Sequence, residues 1–179
     1  MLITLTLVSW YLLQKSDAPS RGVEPEKTSR VPDYQVDQFQ VVTMEVSGMP
    51  SYRIQADSLL HFPSDKWSDL TAPRMQFYQQ NTINWQVSAK NGRVYDEEEN
   101  ILLKGNVVLT RPAGAKEGAM TVHTESLLVH AESQTAETKI LARVESDTHQ
   151  LRGTGMRADM KKGNIKFMSD VTGVYRELY

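Results

Sequence analysis

From Tyr34 onward the chain alternates apolar and polar residues with a period of two. Tyr52, Ile54, Ala56 and Ser58 alternate with Arg53, Gln55 and Asp57, and Trp85, Val87 and Ala89 alternate with Gln86, Ser88 and Lys90. Leu103, Gly105, Val107 and Leu109 share one face against Lys104 and Asn106, and Val122 and Thr124 alternate with His123 and Glu125. Ile140, Ala142 and Val144 alternate with Lys139, Leu141 and Arg143, and Ile165, Phe167, Ser169 and Val171 continue the pattern. Successive side chains of a strand point to opposite faces, so this period predicts half-buried strands. No long helical pattern survives after residue 15, and the expected fold class is all-β.

Four segments share one layout of strand, short polar turn and second strand: Tyr52–Tyr78, Trp85–Thr110, Met120–Ser146 and Gln150–Tyr175. Their turns fall at Pro63-Ser64-Asp65, Asp96–Asn100, Ala131–Gln134 and Lys161–Asn164. Anchored at Ala56, Ala89, Thr124 and Thr154, the units recur at steps of 33, 35 and 30 residues. A two-strand repeat predicts hairpins that cannot bury their faces alone and therefore stack. The expected architecture is an open, twisted β-roll of stacked antiparallel hairpins, with Pro50–Tyr175 as its body.

Such a roll has two edges, each a template for another strand. Gln35–Gly48 at one end and Ile165–Leu178 at the other contain no proline. Candidate docking residues are Gln35, Val36, Phe39 and Val41 on the first edge, and Ile165, Phe167, Met168, Ser169 and Val171 on the second. Strand addition by another protein is one use of them. Capping by loops or by the nearby Lys161, Lys162 and Lys166 is the other.

The N-terminus reads differently. Met1–Leu13 (MLITLTLVSWYLL) is uncharged and ends at Gln14 and Lys15, with Trp10 and Tyr11 where an interfacial aromatic belt would lie. As a helix of thirteen residues it spans ~20 Å, short of the ~30 Å hydrocarbon core. A signal-peptide core is one reading, but no basic region precedes it and no A-x-A site follows. A buried helix is another, at odds with the polar linker behind it. The third, adopted here, is a membrane anchor over residues 1–15, with a truncated start or with Lys15 snorkelling. Ser16–Pro32 is rich in proline, serine and charge and lacks apolar periodicity, so residues 16–33 are expected as a linker to a β-domain over residues 34–179.

Composition narrows the function. The 179 residues suit one domain plus an anchor. A net charge of −2 removes the electrostatic case for nucleic acid. The absence of cysteine removes disulfides, thiolate metal sites and a cysteine nucleophile, and is compatible with an oxidising compartment. His61, His123, His130 and His149 lack metal-ligand spacing. Asp96–Glu99 lacks the alternating oxygens of a calcium loop and reads as a solvated turn. No G-x-S-x-G, phosphate-loop or H-E-x-x-H motif occurs. Gly153 and Gly155 bracket Thr154 inside a strand, where glycine permits a bulge or a close approach. No catalytic residue, cofactor or metal is expected.

SYRIQADSL at Ser51–Leu59, NWQVSAKNGRVYDEEENILLKGNVVL at Asn84–Leu109 and LRGTGMRADMKKGNIKF at Leu151–Phe167 resemble the LptC family of lipopolysaccharide export proteins. The resemblance runs from about Gln35 to Tyr175. The Gly105–Val107 pattern also occurs in the related bridge protein LptA, and the uncleaved apolar N-terminus selects LptC. The resemblance implies a twisted β-jelly-roll with an apolar interior and an anchor in the inner membrane beside an ATP-driven ABC transporter. It implies an N-terminal edge docked on that transporter, a C-terminal edge docked on LptA, and a β-domain in the periplasm.

Physics supplies a reason for the shape. Exposing one acyl chain of about 12–14 carbons to water costs ~10 kcal/mol, at ~0.8 kcal/mol per CH₂. An apolar groove removes that barrier, and period-two strands supply one because every second side chain points inward. The candidate lining is Ile54, Trp85, Val87, Leu103, Val107, Leu109, Val122, Ile140, Val144, Phe167 and Val171. The same residues would build a closed, dry core. A lipid conduit and a purely structural adaptor therefore both remain open at the level of sequence.

Overall fold

The computed structural model describes residues 31–95, 100–114 and 118–175, and all regular structure among them is strand. The expected anchor, most of the linker and the Asp96–Glu99 turn lie outside the described residues. Among the described residues no helix is long and apolar enough to cross a membrane.

Eleven strands follow in chain order: β1 (Tyr34–Met44), β2 (Pro50–Phe62), β3 (Trp67–Thr71), β4 (Arg74–Gln79), β5 (Thr82–Ser88), β6 (Asn91–Tyr95), β7 (Asn100–Arg111), β8 (Met120–His130), β9 (Thr135–Ser146), β10 (His149–Asp159) and β11 (Asn164–Tyr175). Their pairings are antiparallel. β3 and β4 lie end to end along β2, with Leu59 opposite Leu70 and Ile54 opposite Met75. β5 and β6 lie end to end along β7 in the same way, Val87 facing Leu109 and Gly92 facing Leu103. The sheet is therefore a meander, each run beside its neighbour in sequence, with β1 and β11 at its two edges. The four repeat units each fold as one long hairpin.

Irregular backbone marks the middle of the runs. Positive φ occurs at Gln38 in β1 (54°), at Ala72 between β3 and β4 (48°), at Gly105 and Asn106 in β7 (80° and 48°), at Gly155 in β10 (70°) and at Asp170 in β11 (52°). The ladders slip at the same level. β7 carries an extra residue between Lys104 and Val107, β9 carries one around Lys139–Leu141, and β11 carries one between Ser169 and Thr172. A bulge bends its strand and increases local twist. Aligned across the meander, these bulges fold it into two half-sheets. One holds β4, β5 and the β7 segment that ends at Arg111; the other holds β3, β6 and the β10–β11 turn at Met160–Gly163.

The half-sheets bury their inner faces against each other. Met75, Phe77, Trp85, Ile101, Leu103, Leu109, Leu127, Met156 and Met160 are almost wholly inaccessible. The bulges also reset the alternation. β8 buries Val122 and Thr124, then Leu127 and Val129, and β10 buries Gly155, then Met156 and Ala158. Gly153 is required by contact: a Cβ there would lie 2.7 Å from Cδ1 of Phe167 on β11. The β4–β5 connection, Gln80–Asn81, has positive φ at both residues, 50° and 62°, the geometry that matches a two-residue hairpin to the strand twist.

Candidate functional site

The inner face runs the length of both half-sheets. Ile54, Trp85, Val87, Leu103, Val107, Leu109, Val122 and Val144 all lie on it and are buried. Phe167 is half-buried and packs against this core from β11. Ile140 and Val171, expected on the same face, are instead 42% and 53% exposed. Both fall on bulges. The extra residue of β9 leaves Lys139, Ile140 and Leu141 all exposed, and from Met168 onward every residue of β11 is exposed. The inward alternation of β11 thus stops at Phe167, and Ser169 faces solvent as well. Met75, Phe77, Met156 and Met160 belong to the inner face and were missed. The alternation Arg74-Met75-Gln76-Phe77 carried a signal for the first two, whereas the reset in β10 hid Met156.

Away from the fold line, the half-sheets meet at a seam. The indole N–H of Trp85 and the amide Nδ2 of Asn84 both donate to the carbonyl of Met160, each at 3.0 Å. Nη1 of Arg111 donates to the carbonyl of Gly163 at 3.0 Å, and its guanidinium lies 5.7 Å from the Trp85 ring. Gln134 Nε2 reaches the carbonyl of Ser51 at 3.5 Å. A cavity of about 600 Å³ opens beside this seam, lined by the inner-face residues Met120, Val144 and Leu151 together with Arg111 and His149.

Both edges carry apolar side chains. On β1, Val36 and Val41 are exposed, Phe39 packs partly against the core, and Gln35 is exposed and donates to Asp37. On β11, Ile165 packs partly against the core while Met168 is 64% exposed. Among the described residues β1 pairs only with β2, and β11 only with β10, so each has one backbone side without a strand partner among them.

Arg93 and Asp159 are each held by an ion pair. Arg93 stacks 4.0 Å from the Trp67 ring and holds Asp69 through Nε and Nη2. That hydrogen bond to Asp69 raises the already high Arg93 pKa. Asp159 accepts from the backbone N–H of Lys162 at 3.0 Å and pairs with its ammonium at 3.1 Å, which holds its carboxyl below the ordinary range. Among the described residues no group of three or more His, Cys, Asp or Glu side chains is placed to hold a metal ion.

The family profile described as "Lipopolysaccharide-assembly, LptC-related" matches residues 1–176. No curated protein sequence matches the chain. Among solved structures, the chain is similar to LptH of Pseudomonas aeruginosa, described as the LptA-homologous periplasmic component of the lipopolysaccharide transport device. The TM-score is 0.55 at 9% identity, over 70% of this chain and 95% of that one. At that identity the likeness speaks to the fold.

Proposed function

Because the chain belongs to the LptC-related family of lipopolysaccharide-assembly proteins, we propose that its β-domain receives lipopolysaccharide from an inner-membrane ABC transporter and passes it to the bridge protein LptA. Family and fold fit a role in lipopolysaccharide transport. In this reading residues 1–15 anchor the chain in the inner membrane and the β-domain stands in the periplasm. The β1 edge docks on the transporter complex and the β11 edge on LptA. The protein carries lipid and catalyses no reaction.

The observation that supports this most is the continuity of the inner face. Apolar side chains follow one another from Ile54 through Val87, Leu109 and Val122 to Val144 without a charged residue among them. A face that runs from one edge of a meander toward the other suits cargo that travels along the roll.

One observation favours the adaptor reading. The inner side chains are packed to near-zero exposure, as in a dry core. The two readings separate in one experiment: incubate the purified full chain with lipopolysaccharide, pass it over a size-exclusion column and assay lipid in the protein peak. Stoichiometric lipid supports the conduit. A lipid-free peak from protein that still captures both the transporter and LptA supports the adaptor.

A further inference from the structure

The conduit reading poses a physical problem. Apart from the cavity beside Met120, Val144 and Leu151, the inner side chains are packed to near-zero exposure, so passage of an acyl chain along the roll requires the half-sheets to part. The two sides of the roll differ in how they resist this. Along the fold line the half-sheets are joined covalently, by strands that run through both. At the seam the cross-connections described above are side-chain donors on backbone carbonyls: Asn84 and Trp85 on Met160, Arg111 on Gly163, and Gln134 on Ser51. Of these, the Asn84, Arg111 and Gln134 bonds are only part-buried and can exchange with water as the seam opens, whereas parting a strand ladder would break a whole row of backbone bonds.

We propose that the β10–β11 turn, Met160–Gly163, is a clasp that holds the roll shut along this seam and releases to admit lipid acyl chains. The proposal rests on the conduit reading. The detail that most favours it is Asn84. The β4–β5 register slips between Phe77/Tyr78 and Trp85/Ile83, which makes Asn84 the extra residue of β5. Consecutive strand residues ordinarily face opposite ways. The bulge re-aims Asn84 so that it and Trp85 reach the same carbonyl. A second feature is the composition of the core. Met75, Met156 and Met160 are almost fully buried in it, and unbranched thioether chains repack around irregular guests more easily than branched ones. A third is the backbone opposite the seam. The row of positive-φ residues at Ala72, Asn106 and Asp170 concentrates the bend of each strand at one level, which is where a hinge would sit.

The chain has no cysteine, so an engineered pair is unambiguous. Asn84→Cys with Met160→Cys, in the full chain and joined by oxidation, should lower the rate of lipopolysaccharide uptake at least tenfold, and reduction should restore it. A joined pair that takes up lipid as fast as the reduced pair would overturn the clasp. Where the two thiols do not join, the donor-removal variants decide the question. As a second arm, Asn84→Ala and Arg111→Met remove donors while leaving the ladders intact. Each should speed both uptake and release several-fold, and unchanged rates in both would equally refute the proposal. A wild-type chain that takes up no lipopolysaccharide at all would refute the conduit reading itself, a result distinct from lipid uptake that is indifferent to the clasp.

Discussion

Trp85 donates its indole N–H to the carbonyl of Met160 at 3.0 Å, tying β5 to a turn 75 residues later in the chain. The indole is fully buried, so its N–H has no access to water as an alternative partner. Trp85→Phe removes the donor, leaves the Met160 carbonyl with Asn84 alone, and shortens the ring. The expected loss is about 1–3 kcal/mol of folding stability. Thermal unfolding of the two proteins checks this, with a drop of several degrees expected. An unchanged midpoint would mean that the bond contributes nothing net.

The inner face should be apolar by need. Val107 is 1% exposed. Val107→Asp places a carboxylate there at a cost of several kcal/mol, about 2–7 for an uncompensated polar group and more if it ionises. It should unfold or strongly destabilise the domain. Val107→Thr keeps the shape and adds one hydroxyl, so the fold should survive at a small cost while lipid capture falls. Circular dichroism and bound-lipid assay, run side by side, test the pair. Equal lipid occupancy in wild type and Val107→Thr would make this position ordinary core.

Much of this fold was legible because period two survives in the strands. Trp85 and Val87 alternate with polar neighbours, and both face inward. The hairpin units were legible from the regular step between Ala56, Ala89 and Thr124, which is the length of two runs and their turns. Bulges were not. Ile140 sits in perfect alternation with Ala142 and Val144, yet the extra residue of β9 turns it out to solvent. No residue type at Lys139–Leu141 announces that slip; it is set by the fold line shared with β7 and β11. Val171 fails for the same reason one bulge away, beside Asp170 with its positive φ. The seam was invisible too. Asn84 and Arg111 read as ordinary polar ends of strands, and only the folded meander brings them to Met160 and Gly163.

Asp159 gives the β10–β11 turn an acid sensitivity. Its folded pKa lies below the ordinary value because the Lys162 backbone N–H and ammonium favour the charged form. A depressed folded pKa stabilises the fold at pH values above the unfolded pKa, and that contribution is lost as pH falls through the folded pKa. Asp159→Asn lacks the charge at every pH. The stability difference between wild type and Asp159→Asn should therefore favour wild type at neutral pH and shrink in the acid range. Denaturant titrations at a series of pH values measure it. A difference that stays constant on acidification would remove Asp159 as the cause.

The β11 edge should bind through its backbone. β11 pairs with β10 on one side, and its Met168 and Ser169 lie just before the Asp170 bulge. Strand addition draws on main-chain hydrogen bonds of ~0.5–1.5 kcal/mol each, so Lys166→Ala should change LptA binding little. Proline removes a donor and does not fit a paired strand. Of Met168→Pro and Ser169→Pro, the one whose N–H points to the unpaired side should lose LptA binding while the other changes it less. Pull-down with LptA, on variants that retain the wild-type circular dichroism spectrum, reads this out. Binding unaffected by either proline would rule out this edge.

The central claim is that lipopolysaccharide passes through the interior, and site-specific photocrosslinking tests it most directly. A photoreactive phenylalanine analogue suits Phe167, which is already aromatic and half-buried, and Val107 supplies a deeper position. Outward controls are Gln86 and Lys166, both exposed. In cells exporting lipopolysaccharide, adducts should form from Phe167 and Val107 and be absent from Gln86 and Lys166. Adducts from neither inward position, in protein that still joins the transporter to LptA, would contradict the account and leave a dry structural adaptor in its place.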